Sequence, residues 1–160
     1  MGDHRVVTER HIAENSRKPT LHGPLLVLLT ALFACRVLGQ ALVAFADVSW
    51  LPAMEQWFSG VIPYPSLLII QLFMFILMTK ISGDIWRAKG AFAVVQPRWS
   101  DFLIRLSIAY AGLMGVRYVL TMVRHPEMRW AGDIIPIAFH FVIAGFILAL
   151  GNYHQVTTNP

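Results

Sequence analysis

The chain has 160 residues, 56% hydrophobic and 14% charged, and a net charge of +4. An average soluble domain is about a quarter charged, so the composition excludes that class and points to an integral membrane protein, with room for one domain and no appended soluble enzyme. The basic residues form no stripe, which excludes nucleic acid as a partner, and the lone Cys35 excludes an intrachain disulfide and a cysteine-based metal site.

Residues 1–23 are polar, carry Asp3, Arg5, Glu9, Arg10, Glu14, Arg17 and Lys18, and lack any apolar period that builds a core, so they are expected to be a mobile cytoplasmic tail. Residues 24–46 are apolar and long enough to cross about 30 Å of hydrocarbon at about 1.5 Å per residue. A second apolar run, 62–81, opens with Pro63 and Pro65, which suit a helix start because their missing amide protons have no partner there anyway. A third spans 102–123 behind Ser100 and Asp101 as expected N-caps, and a fourth spans 133–151. Residues 152–160 are then a short cytoplasmic tail. The expectation is an all-α, integral membrane four-helix bundle with short loops, its transmembrane domain covering residues 24–151.

The distribution of Lys and Arg orients it, because cytoplasmic flanks hold the excess. Arg5, Arg10, Arg17 and Lys18 precede the first segment, and Lys80, Arg87, Lys89 and Arg98 lie between the second and third. The first loop has none and the third has only Arg124 and Arg129. Both termini are therefore expected in the cytoplasm of a cell carrying this chain in its inner or plasma membrane. Trp50, Trp57 and Trp130 would mark the outer interface, and Trp86 and Trp99 the inner one. A cleaved leader competes for the first segment, since Lys18 precedes the apolar run and Ala44-Phe45-Ala46 has a small-x-small form; Arg36 interrupts that run and argues for retention.

Arg36 is the most informative residue, because a guanidinium near the middle of a spanning helix costs about 3 kcal/mol or more unless a partner, a cavity or snorkelling offsets it. Gln40 lies one turn away on the same face. With Gln71, Tyr110, Arg117 and His140 these residues form a candidate polar or ligand-binding cluster inside the bundle, Gln40, Arg117 and His140 being expected at one depth, with snorkelling to phosphate headgroups an equal alternative for Arg117 because it lies about six residues from the outer end of its helix. Small residues mark where helices meet, because association in lipid depends on close backbone approach. Ser107, Ala111 and Gly115 on the third helix and Ala144, Gly145 and Ala149 on the fourth are the expected packing surface. The second helix, rich in Leu, Ile and Phe, is expected to face lipid.

His140 and His154 share a helix face and invite a test for haem, but only His22 and His125 remain as opposite ligands, so no cofactor is assigned. No phosphate loop, nucleophile elbow, His-Glu-x-x-His or Cys-x-x-Cys occurs, and His125, Glu127 and Asp133 around the third loop are a weak candidate for an outer acid/base or metal cluster, since further ligands are lacking. No carboxylate lies deep in a segment to serve as the site of a proton-driven cation exporter. Two function classes stay open. One is a non-catalytic accessory or assembly subunit or oligomeric module, its partners the lipid bilayer, other membrane subunits or itself. The other is a binding or transport protein for an anionic or quinone-like amphiphile, with a membrane redox subunit behind both.

Overall fold

The computed structural model describes residues 21–46, 48, 50–52, 57, 63–124 and 134–156. The protein is an all-α bundle of four helices long and apolar enough to span a membrane: α1 (His22–Ala46), α2 (Tyr64–Trp86), α3 (Pro97–Arg124) and α4 (Ile134–Val156). A 3-10 turn, Ala91–Ala93, lies between α2 and α3. Most of the expected N-terminal tail, Trp130, and the His125, Glu127 and Asp133 group fall outside the described residues.

The helix ends differ from the expected ones for local reasons. α2 begins behind Pro63, whose carbonyl accepts from Leu67 N–H at 3.1 Å, and it runs past Ile81 because Lys80 and Asp84 pair one turn apart rather than ending the helix. It closes with Lys89 N–H on Asp84 O at 3.0 Å and Ala88 N–H on Ile85 O at 3.2 Å, a Schellman arrangement in which Ala88 takes the left-handed conformation at φ 49°. α3 starts at Pro97, not after Asp101, because a proline at the first helical position loses no hydrogen bond. Ser100 is consequently inside the helix, and its hydroxyl donates to Gly151 O at 3.0 Å instead of capping. α4 continues through Gly151 to Val156 and carries His154 within the helix rather than in a tail.

α1 packs against α2 and α4, and α3 packs against α4; no other pair of helices is in close backbone contact among the described residues. The spatial order is therefore α2, α1, α4, α3, an open antiparallel row. The buried residues of α1 explain its central place: Gly23, Leu26, Thr30, Phe33, Val37 and Gln40 recur at alternating steps of three and four, the spacing of a coiled-coil seam. Leu26, Phe33 and Val37 join Met78, Ile81 and Ile85 of α2 and Phe146, Ala149 and Leu150 of α4 in one core.

Only α4 covers α3, which buries little beyond Ser100, Ser107 and Met114. α2 does expose Ile69, Ile70, Phe73 and Ile76, but α3, with Phe102, Ile108, Leu113, Val116, Val119 and Val123 exposed, has the barer flank. Both helices end the row, and α3 buries only three residues, Ser100, Ser107 and Met114, where α2 buries Gln71, Met78, Ile81, Ser82, Asp84 and Ile85.

Candidate polar site

α1 presents Arg36 and Gln40 toward α2 and the first loop because they stand one turn apart at the edge of the buried seam. Gln40 is completely buried and Arg36 is 9% exposed. Arg36 Nη1–H donates to Gln40 Oε1 at 3.2 Å, and Gln71 Nε2–H of α2 donates to the same oxygen at 3.0 Å. Arg36 Nη2–H donates to the carbonyl of Trp57 at 2.9 Å. From the other side Phe139 of α4 offers its ring face, 5.3 Å from Arg36 Cζ. One guanidinium thereby ties together α1, α2, α4 and the loop between α1 and α2.

Trp57, expected only as a marker of the outer interface, also has a packing role: it is 7% exposed, its indole N–H donates to Pro52 O at 2.9 Å, and its ring lies over Gly39. A methyl group at position 39 would come within 2.7 Å of the ring, so the missing side chain of Gly39 is what lets the loop reach Arg36. The pairing is also incomplete. Arg36 Nε, Gln40 Nε2 and Gln71 Oε1 are buried without partners among the described residues.

Tyr110 and His140 form a second polar pair, between α3 and α4. The phenol hydroxyl and His140 Nδ1 are 2.5 Å apart, with the rings edge-to-face at 5.8 Å. Ser107 Oγ–H donates to Ala144 O at 2.7 Å, and with Ser100 on Gly151 this fixes the register of the two helices. Continuing that register puts Arg117 about two turns beyond His140, level with the start of α4, and not at the depth of His140. The sequence-derived cluster is thus two clusters, joined only where Phe139 turns to Arg36 and its neighbour His140 turns to Tyr110.

The packing residues divide likewise. Ser107, Ala144 and Ala149 are buried, Ala111 is half-buried, and Gly145 lies against Leu29 with room for a methyl group. Gly115 faces open space, whereas the closest approach belongs to Gly151, where an added Cβ would meet Ile104 Cγ1 at 2.9 Å and Ile104 N at 3.2 Å.

The opposite end of the bundle is tied by groups with little sequence signal. Thr30 Oγ1–H donates to Leu26 O at 2.8 Å, so Ser82 is the donor in its 2.9 Å bond to Thr30. Asp84 accepts from Lys80 Nζ at 2.6 and 2.8 Å and from Phe92 N–H at 3.4 Å. Gly90, at φ 111°, folds so closely over the Asp84 carboxylate that a Cβ would lie 2.4 Å from it. Tyr153 O–H donates to Ala93 O at 2.9 Å, and Gln96 N–H donates to His154 Nδ1 at 3.3 Å. The loop between α2 and α3 is strapped to α4 in this way, and the His154 Nδ1 lone pair serves that strap. Among the described residues no group of three or more His, Cys, Asp or Glu side chains is placed to hold a metal ion. Comparison with protein-family models, curated proteins and solved structures finds no match to this chain.

Proposed function

We propose that the protein is a non-catalytic membrane module, an accessory or assembly subunit or a homo-oligomer, carried in the cell membrane with both termini cytoplasmic. The observation that supports this most is the use of Arg36. A binding or transport site needs its deepest charge directed at an accessible ligand, whereas this guanidinium is spent on a loop carbonyl, a glutamine of its own helix and a ring of α4. The open row adds to the reading, because the flanks of α2 and α3 are free to meet other spanning helices. The test is stoichiometry in native-membrane particles, with photo-crosslinking residues placed at Gly112 on α3 and Ile69 on α2. A discrete oligomer or a protein partner at fixed ratio, crosslinked from either flank, supports the module. A single chain crosslinked to lipid alone overturns it.

A second reading, binding of a quinone-like amphiphile, is favoured by the three unpartnered buried atoms. Arg36 Nε–H and Gln40 Nε2–H offer donors and Gln71 Oε1 an acceptor, a set that suits a headgroup with both carbonyl and hydroxyl oxygens. A co-purifying small molecule lost from Gln71→Leu while the fold survives would favour it over the module.

A further inference from the structure

The link between α2 and α3 carries cations and apolar side chains on one short, exposed stretch. Arg87, Lys89 and Arg98 are exposed, and so are Trp86 at the end of α2, Phe92 and Val94 within the link, and Trp99 in the first turn of α3. Two carboxylates are described nearby. Asp84 is buried and bonded to Lys80, and exposed Asp101 stands one turn from both Arg98 and Arg105 on α3, so the surface keeps a positive excess. Exposed cations need no partner in water, and the charge alone therefore decides nothing. The apolar side chains between the cations do: Val94 is 60% exposed, and with Phe92 and the two indoles it gives the link the mixed character of a segment lying in a bilayer interface.

The link is also held in one shape. Gly90 folds over the Asp84 carboxylate, which accepts from Phe92 N–H at 3.4 Å. Tyr153 O–H donates to Ala93 O at 2.9 Å, and Gln96 N–H donates to His154 Nδ1 at 3.3 Å. These bonds fall between Lys89 and Arg98, so the cations flank a segment fastened to the bundle at the level where two apolar spans end.

We propose that residues 87–99 lie in the bilayer interface as a fixed seat for anionic phospholipids. Arg87, Lys89 and Arg98 meet phosphate oxygens, Phe92 and Val94 sink among the first acyl carbons, and Trp86 and Trp99 bound the segment at headgroup depth. A negatively charged leaflet answers both halves of this surface at once, the cations with its headgroups and the apolar side chains with its chains. A neutral leaflet answers only the second half, and a soluble acidic protein only the first. The seat concerns lipid alone, so it stands apart from the stoichiometry that tests the module reading and from the direction in which the chain is inserted.

The test uses the full-length protein in two measurements. Native mass spectrometry in detergent follows retention of phosphatidylglycerol against phosphatidylcholine, and an environment-sensitive fluorophore on Val94→Cys, in a Cys35→Ser background, follows immersion of the link in nanodiscs of either lipid. Phosphatidylglycerol should be retained in preference, and the fluorophore should report an apolar surrounding that deepens when phosphatidylglycerol replaces phosphatidylcholine. Arg87→Gln, Lys89→Gln and Arg98→Gln should each weaken phosphatidylglycerol retention about fivefold, the loss expected for one cation at a charged bilayer surface. Arg5→Gln/Arg10→Gln/Arg17→Gln, which removes three cations from the N-terminal segment outside the described residues, should cost less than Arg87→Gln/Lys89→Gln/Arg98→Gln. Equal retention of the two lipids, equal losses in the two triple variants, or a fluorophore that stays in water in both nanodiscs overturns the proposal. So does a photo-crosslinker at Val94 that captures protein and no lipid in native-membrane particles, since the surface then belongs to a protein partner.

Discussion

Gln40→Leu should be among the most damaging single substitutions in the chain, although it adds apolar surface to a membrane helix. Gln40 Oε1 accepts from both Arg36 Nη1 and Gln71 Nε2, and the residue is fully buried. Leucine leaves a second guanidinium nitrogen unsatisfied beside the already unpartnered Nε, and removes the partner of Gln71 Nε2, whose Oε1 has none. The bond to the charged donor is worth about 1.5–3 kcal/mol. The Gln71 bond is worth less, about 0.6 kcal/mol on average and up to about 1.7 for interhelical bonds within a membrane. The expected loss is thus about 2–4 kcal/mol, mostly from stranding Arg36. Arg36→Leu/Gln40→Leu/Gln71→Leu should recover most of it, because replacing a whole buried polar set by apolar groups can be nearly neutral where removing one member is not. Reversible unfolding in mixed micelles, followed by tryptophan fluorescence and circular dichroism, measures both. A loss below about 1 kcal/mol for the single change, or a triple variant less stable than it, would refute the claim that these three side chains depend on one another.

Gly39→Ala gains helix propensity of about 0.5–1 kcal/mol but drives a methyl group to 2.7 Å from the Trp57 ring, so a net loss of about 1–2 kcal/mol is expected in the same unfolding assay. Gly151→Ala meets the backbone of Ile104 as well as its side chain and should destabilise by about 1–3 kcal/mol; a neutral result would show that α3 is free to move off α4. Ala88→Gly should stabilise by about 0.5–1 kcal/mol, since it relieves the left-handed conformation at the end of α2, and a lower melting temperature would contradict that account. In a Cys35→Ser background, a cysteine at Ser59 should react with an impermeant reagent from outside intact cells and one at Asn159 should not; the reverse pattern inverts the topology.

The four helices were legible because membrane crossing demands long apolar runs, and Pro63 and Pro65 marked the start of α2 on chemical grounds. The ends were less legible. Lys80 and Asp84 look like the polar limit of a span, but they satisfy one another within the helix, and Asp84 then organises the turn through Gly90 and Phe92. Arg36, Gln40 and Gln71 were found by the cost of burying polarity. Their phase in the three-four seam of α1 was a further signal, and it would also have shown Thr30 facing α2, where it meets Ser82. Trp57 was not legible, because it acts through a backbone carbonyl that any residue possesses and its position follows from the absence of a side chain at Gly39. Equal spacing from helix ends misjudged Arg117, since α3 begins and finishes at levels that only the serine-to-carbonyl bonds to α4 reveal.

Buried Arg36 and half-buried Arg117 stand in different surroundings, and their places in the row account for it. Arg36 belongs to the helix with neighbours on both sides, so it meets the first loop at Trp57 O, α4 at the Phe139 ring, and α2 through the Gln40 oxygen that Gln71 shares. Nothing on that helix could satisfy it alone: Gln40 supplies one oxygen and already shares it with Gln71. Arg117 belongs to one of the two end helices, whose single helical neighbour among the described residues is α4.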